Sequence, residues 1–479
     1  MVNKLLSHQN TTLKFPIYLT VFYLVLTLII YILCPYDWPT QNPLLFYSLN
    51  ILYICAIYIG YQFGLKREIR FRWIAWTEDK TDKLMLLISI LTAVNFFMYL
   101  VNVFRTYGFT TFDFKGLFEA MSIGLKQPAM GYYLNLVRAE QLDGTHVMGG
   151  TAFTLLNLLW GFFKNAVAIL SMLYFKKLKI YGKIFAIAYL LLVVVFYLSI
   201  GTSIQIFHVF LLLELPIIME TFDFWYRKEL TGKKVLKLVV CLITGLLLVG
   251  AYFGYMMESR SSLYGYEIPE YSIGGITPGV IKPPATEPPA TEPPVTEPLE
   301  TPPGGQLPPA LQKLNNLWIS FSSYLTQGYY GMSQALTLDW IPMYGVGNSM
   351  FLVNIISENI YDIDQFTYQV RLEPYGWDSD TNWHTMYTWL ANDVSFYGVV
   401  LVMFAIGIIF GMMFKDAVIT KNPFARASVF FYILMLVFIP CNNQIAQSNE
   451  NLCAFLLLIG LWMICGRNPL QSDTAKKEW

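Results

Sequence analysis

Apolar residues run through this chain in long, nearly unbroken blocks separated by short polar breaks, over 16–34, 44–65, 84–103, 152–175, 184–201, 204–222, 236–256, 393–414, 427–445 and 450–466. Each is close to the roughly 17–25 residues that a helix needs to cross a bilayer. The pattern therefore predicts an all-α polytopic membrane protein with ten transmembrane helices. The first block follows Lys4 and Lys14 without a small-residue cleavage site, which predicts an uncleaved anchor.

Charge in the breaks alternates. Lys66, Arg67, Arg70, Arg72, Lys80 and Lys83 follow the second block, and Lys176, Lys177, Lys179 and Lys183 the fourth. Arg227, Lys228, Lys233, Lys234 and Lys237 follow the sixth, and Lys415, Lys421 and Arg426 the eighth. With Arg467, Lys476 and Lys477 in the tail, all fall on one side of ten spans. The positive-inside rule makes that side cytoplasmic and puts both termini there. The segment 104–150, the turn Gly201-Thr202-Ser203, the 442–451 break and one long polar excursion over 257–392 are then extracytoplasmic.

Within the excursion, a Pro-rich spacer spans 269–309, with the unit PPATE, PPATE, PPVTE inside 283–303; this composition favours a solvated polyproline rod and cannot build a core. Leu314, Leu317, Trp318, Phe321, Tyr324 and Leu325 predict an amphipathic helix over 311–338 near the membrane surface. Between 368 and 389 lie Arg371, Glu373, Tyr375, Trp377, Asp378, Asp380, Trp383 and His384. Aromatic faces stack on sugar rings and fixed polar groups read their hydroxyls, so this segment is either a carbohydrate site or an outer loop with a satisfied aromatic core.

Composition narrows the class. Hydrophobic residues make up 55% and charged residues 13%, more apolar surface than one soluble core of this length buries, and the formal net charge of +0 gives no case for nucleic acid. No HExxH or clustered His/Cys spacing marks a metal, and no P-loop or GxGxxG marks a nucleotide, so neither metal nor cofactor is expected. Cys55, Cys241, Cys453 and Cys465 read as buried hydrophobes, and a Cys34–Cys441 disulfide is an open alternative to free thiols. Lys164 and Glu214 fall inside spans, where an ionisable group needs a partner; each is the other's candidate.

Three stretches carry a family resemblance: Tyr324-Leu-Thr-Gln-Gly-Tyr-Tyr-Gly-Met-Ser-Gln-Ala-Leu, Tyr344-Gly-Val-Gly-Asn-Ser, and Thr388-Trp-Leu-Ala-Asn-Asp-Val-Ser-Phe-Tyr-Gly398 at the head of a span. With Tyr252-Phe253, Glu258-Ser259-Arg260 and Gly201-Thr202, the chain resembles the Wzy-type O-antigen polymerases, the oligosaccharide repeat unit polymerases, loosely over 195–450. The resemblance implies a GT-C-like glycosyltransferase in the bacterial cytoplasmic membrane. It would polymerise polyprenyl-diphosphate-linked oligosaccharide repeats for O-antigen or capsule, beside a flippase and a chain-length regulator. An O-antigen ligase, or a flippase that is not an enzyme, are the alternatives.

That chemistry needs cations for a diphosphate leaving group and a base for a sugar hydroxyl. Arg260, Arg371 and Arg138 are the expected diphosphate ligands, and Tyr329, Tyr344, Asn348 and Trp383 the expected glycan contacts. His384 and Asp393 are the expected catalytic pair, the imidazole as base with Asp393 orienting it or Asp393 as base itself.

Overall fold

The computed structural model describes residues 2–35, 38–69, 72–141, 148–261, 309–379 and 382–466. The helices are α1 (Val2–Ile32), α2 (Pro43–Leu65), α3 (Glu78–Thr106), α4 (Phe114–Lys126), α5 (Pro128–Gln141), α6 (Gly150–Leu173), α7 (Ile180–Ser199) and α8 (Ile204–Tyr226). They continue with α9 (Gly232–Ser261), α10 (Pro309–Ala335), α11 (Met350–Asn359), α12 (Tyr368–Arg371), α13 (Met386–Ile419), α14 (Pro423–Phe438) and α15 (Asn449–Ile464). Eight of them, α1, α2, α3, α6, α7, α8, α9 and α13, are long and apolar enough to cross a membrane, and the chain is an all-α protein of that class. The last two predicted spans fall on α14 and α15, which are apolar but only 16 residues each. The α14 helix stops at Phe438 where the prediction ran to 445, because Pro440 lacks an amide donor and disfavours a helical residue before it. The Pro-rich spacer lies outside the described residues except for Pro309, which opens α10.

The chain divides into two compact units. The first comprises residues 1–70, 286–416 and 431–452, and the second 71–285, 417–430 and 453–479.

In the first unit, α2 and α13 meet through glycines on both sides. A Cβ added at Gly60 or Gly64 would stand 2.1 or 2.2 Å from the carbonyl oxygens of Phe404 and Ile408. One added at Gly407 or Gly411 would stand 2.4 Å from those of Ile57 and Tyr61. Absent Cβ atoms let the backbones touch, the mode of approach that apolar surroundings reward because packing replaces the missing hydrophobic drive. Helix α13 is broken at Ser395, whose φ of 61° and ψ of 163° are not helical; the Ser395 Oγ accepts from Gly398 N and Tyr53 Oη donates to Phe396 O at 2.6 Å. The amphipathic helix expected over 311–338 is α10, and it packs along α1, with the Tyr329 hydroxyl bonded to Thr27 Oγ1 at 2.9 Å and Cys34 Sγ donating to Ser322 Oγ. Its small and hydroxylated residues Ser322, Thr326 and Ser333 are all buried.

In the second unit, α3, α6, α7 and α8 form a bundle, with α4 and α5 paired on α7. Ile74–Ala75 and Cys465–Gly466 form a two-residue parallel pairing that Arg72 and Asn422 secure by donating to Cys465 O. Arg426 pairs with Asp223, the side chains only 12% and 11% exposed. The expected Lys164–Glu214 pair does not form: Lys164 Nζ stands 5.1 Å from the centroid of Tyr99, and Glu214 Oε2 is buried without a hydrogen-bond partner. Cys34 and Cys441 are free thiols, so the disulfide alternative is not realised.

Gly407→Leu should lower the unfolding free energy by about 1–3 kcal/mol, the usual cost of forcing side-chain volume into a packed contact. Gly250→Leu, where an added Cβ meets nothing within 4 Å, should leave it nearly unchanged. Denaturant unfolding of the purified variants in detergent checks the contrast.

Candidate functional site

In the first unit, two of the motif stretches, 344–349 and 388–398, meet at two adjacent residues at the head of α13. The Asp393 carboxylate accepts from Gly345 N at 2.8 Å, Gly347 N at 2.9 Å, Asn348 N at 3.0 Å and Asn348 Nδ2 at 2.7 Å. Successive backbone amides that converge in this way make an anion-binding concavity, here filled by the protein's own carboxylate. Two glycines permit it. Gly345 has φ +98°, which a side chain resists, and a Cβ at Gly347 would stand 2.6 Å from that of Asn392.

Asn392 supplies the second set of ties. Its Nδ2 donates to Gly347 O at 2.8 Å and to Gln369 Oε1 at 3.0 Å, and its Oδ1 accepts from Tyr368 N at 2.9 Å. Its carbonyl accepts from Met343 N and from Trp340 Nε1. The far side of the loop is held by Asn443 Nδ2 donating to Asn348 O and Ser349 Oγ donating to Ala446 O, both at 2.9 Å.

Arg371 closes α12. Its Nη1 donates to Asp339 O at 2.7 Å and its guanidinium lies 5.6 Å from the centroid of Tyr368. These partners are neutral, and among the described residues no carboxylate forms an ion pair with it. The charge is aimed but not cancelled.

His384, two residues ahead of α13, is 2% exposed, and neither ring nitrogen has a hydrogen-bond partner. Desolvation by burial pushes its pKa down to about 3, so the ring is neutral at physiological pH. Trp377 stands edge-on to it with centroids 6.4 Å apart, and the Trp377 Nε1 is likewise buried without a partner. Gly331 makes room for that indole, since a Cβ there would stand 2.6 Å from Nε1. Gln369 Nε2 and Trp389 Nε1 are buried and unpartnered as well. Four unsatisfied side chains over 369–389 are unusual where buried polar atoms are normally paired, and such groups mark places that receive water or ligand.

The remaining expected residues are distributed as follows. Asn348 is part of the anchored loop. Tyr344, at its tip, is 89% exposed with φ 54°. Trp383 N donates to Gln327 Oε1, and its ring meets Tyr324 at 4.9 Å. Tyr329 is 1% exposed, its hydroxyl bonded to Thr27 and its ring against Tyr31 and Phe46, so packing occupies it and leaves no face for a substrate.

Arg138 belongs to the second unit. It is 8% exposed, with its guanidinium 4.5 Å from the centroid of Tyr107, whose hydroxyl pairs with Ser199 Oγ at 2.7 Å; burial lowers its pKa. Arg260 has its backbone in α9, and its side chain lies outside the described residues, as does Asp380.

Sequence reasoning passed over Asn392 as a structural tie, together with Gln369, Asn443 and the Asp339 carbonyl. A backbone carbonyl leaves no trace in side-chain patterns, and nothing local announces a bond across 45 residues such as Asn392 to Gly347.

Comparison with protein-family models, with curated proteins and with solved structures finds no match.

Two outcomes follow. Asp393→Ala should raise amide hydrogen exchange at Gly345, Gly347 and Asn348 at least tenfold, because charge-assisted bonds of about 1.5–3 kcal/mol each are lost, while exchange in α2 stays as it was. For His384, the folded pKa lies below the unfolded value, so protonation favours unfolding. Stability should be full above pH ~6.5 and fall by up to about 1.4 kcal/mol per pH unit on acidification from there toward the folded value. His384→Phe should remove that component, measured as the difference between the two unfolding profiles against pH.

Proposed function

We propose that this chain polymerises polyprenyl-diphosphate-linked oligosaccharide repeats into a surface polysaccharide, O-antigen or capsule, at the outer face of the bacterial cytoplasmic membrane. The observation that carries the reading is Arg371, a guanidinium oriented by a carbonyl and a tyrosine ring with no ion-pair partner among the described residues. A planar guanidinium with donors to spare suits a diphosphate, which it can bind through two parallel bonds. The meeting of the 344–349 stretch with Asn392 and Asp393 of the 388–398 stretch supports the same reading. Under the loop-charge orientation the 340–393 segment faces outward, both termini are cytoplasmic and ten helices span.

In the reaction, a sugar hydroxyl of the incoming lipid-linked repeat attacks the anomeric carbon of the growing chain. The bond from that carbon to the diphosphate oxygen breaks, polyprenyl diphosphate leaves, and the hydroxyl proton passes to a base. Arg371 holds the departing diphosphate. Asp393 would have to release one of four donors to accept the proton, whereas His384 is neutral and has an open ring nitrogen. Its low pKa makes it a weak base in this structure, and a diphosphate placed nearby raises it by favouring the charged imidazolium. Tyr344 and Trp383 are the glycan contacts.

Deleting the gene should leave single repeats on polyprenyl diphosphate. Complementation with Arg371→Ala, at unchanged protein level, should restore little or no long polymer, with Arg371→Lys intermediate. Normal chain-length ladders in the deletion strain would sink the polymerase reading, and normal ladders with Arg371→Ala would remove that arginine from it.

A further inference from the structure

Within the second unit, between α6, α7 and α8, lies a cavity of ≈ 30 Å³, lined by Asn165, Gln205, Tyr189 and His208 among apolar residues that include Ala168 and Phe430. His208 is 7% exposed, and its Nε2 is buried without a hydrogen-bond partner. An edge-on contact with Phe430, centroids 6.1 Å apart, fixes one side of the imidazole but gives that nitrogen nothing to bond. All four polar lining residues lie on the apolar helices α6, α7 and α8, where bulk water is not at hand to satisfy a buried ring nitrogen.

We propose that this cavity is a binding site for ordered water, with His208 Nε2 as its principal partner and the Gln205 and Asn165 amides and the Tyr189 hydroxyl as the other polar groups in reach. Size and lining select water over the alternatives. A water needs about 10–15 Å³ of such space and two to four polar partners, so the cavity takes one or two and excludes a sugar or a lipid headgroup. An apolar occupant of the same size would leave His208 unsatisfied, and three of its lining side chains carry amide or hydroxyl groups that an apolar guest cannot use. The water would give His208 Nε2 of α8 a polar partner in a cavity that α6 and α7 also line, a polar tie inside an apolar bundle. The inference does not depend on the proposed polymerase activity.

The test uses the full chain in lipid bilayers, labelled with ¹⁵N-histidine, and follows polarisation transferred from water protons to the His208 ring by solid-state NMR, with His208→Gln used to assign the signal. Transfer to His208 is expected, and Ala168→Leu, which fills the cavity and keeps the imidazole, should reduce it at least threefold. No transfer to wild-type His208, or transfer unaffected by Ala168→Leu in a folded variant, would overturn the proposal. A density map at about 2 Å serves independently of any variant: an ordered peak within hydrogen-bond distance of His208 Nε2 supports the site, and a featureless cavity refutes it.

Discussion

The site in the first unit depends on one constraint: Asn392 and Asp393, adjacent in sequence at the head of a long apolar helix, hold two separate chain segments at once. Asp393 takes up the amides of the 345–348 loop, and Asn392 binds the same loop and the start of α12. A carboxylate with four donors and a carboxamide with three partners leave little freedom to either segment. The aim of Arg371 follows, because α12 begins at the amide that Asn392 accepts and ends at that arginine. Two of the five non-glycine residues with positive φ among the described residues lie beside the same pair, Ser395 two residues on and Tyr344 at the loop tip. Non-glycine residues persist in such conformations where surrounding bonds over-determine them, and that happens most often at functional sites.

The large features were legible because they rest on local pattern. Every predicted span falls on an apolar helix, since a bilayer-length apolar run has few other ways to satisfy its backbone. The amphipathic stretch after the spacer is helical as well, but its place beside α1 was not readable. Buried Ser322, Thr326 and Ser333 look polar in sequence, and only the facing helix makes them interior. The Lys164–Glu214 pairing failed for a similar reason. Two charges in spans invite each other on paper, yet a lysine can settle over an aromatic ring, as Lys164 does over Tyr99.

The candidate site was half legible. Arg371, His384, Asp393 and the glycine-rich turn stood out as residue types suited to diphosphate and glycan chemistry. Their division of labour did not: Asp393, expected as base or as partner of the imidazole, is taken up by backbone amides, and His384 stands beside Trp377. The glycine pairs of α2 and α13 were likewise visible only as small residues in apolar runs until the opposing backbone gave them a purpose.

Purified protein reconstituted with lipid-linked repeat units from its own cell gives the most direct measurement. The account predicts that these units alone, without nucleotide sugar, are converted into a ladder of longer lipid-linked glycans with release of polyprenyl diphosphate. Repeat units that remain single in the presence of folded protein would contradict it.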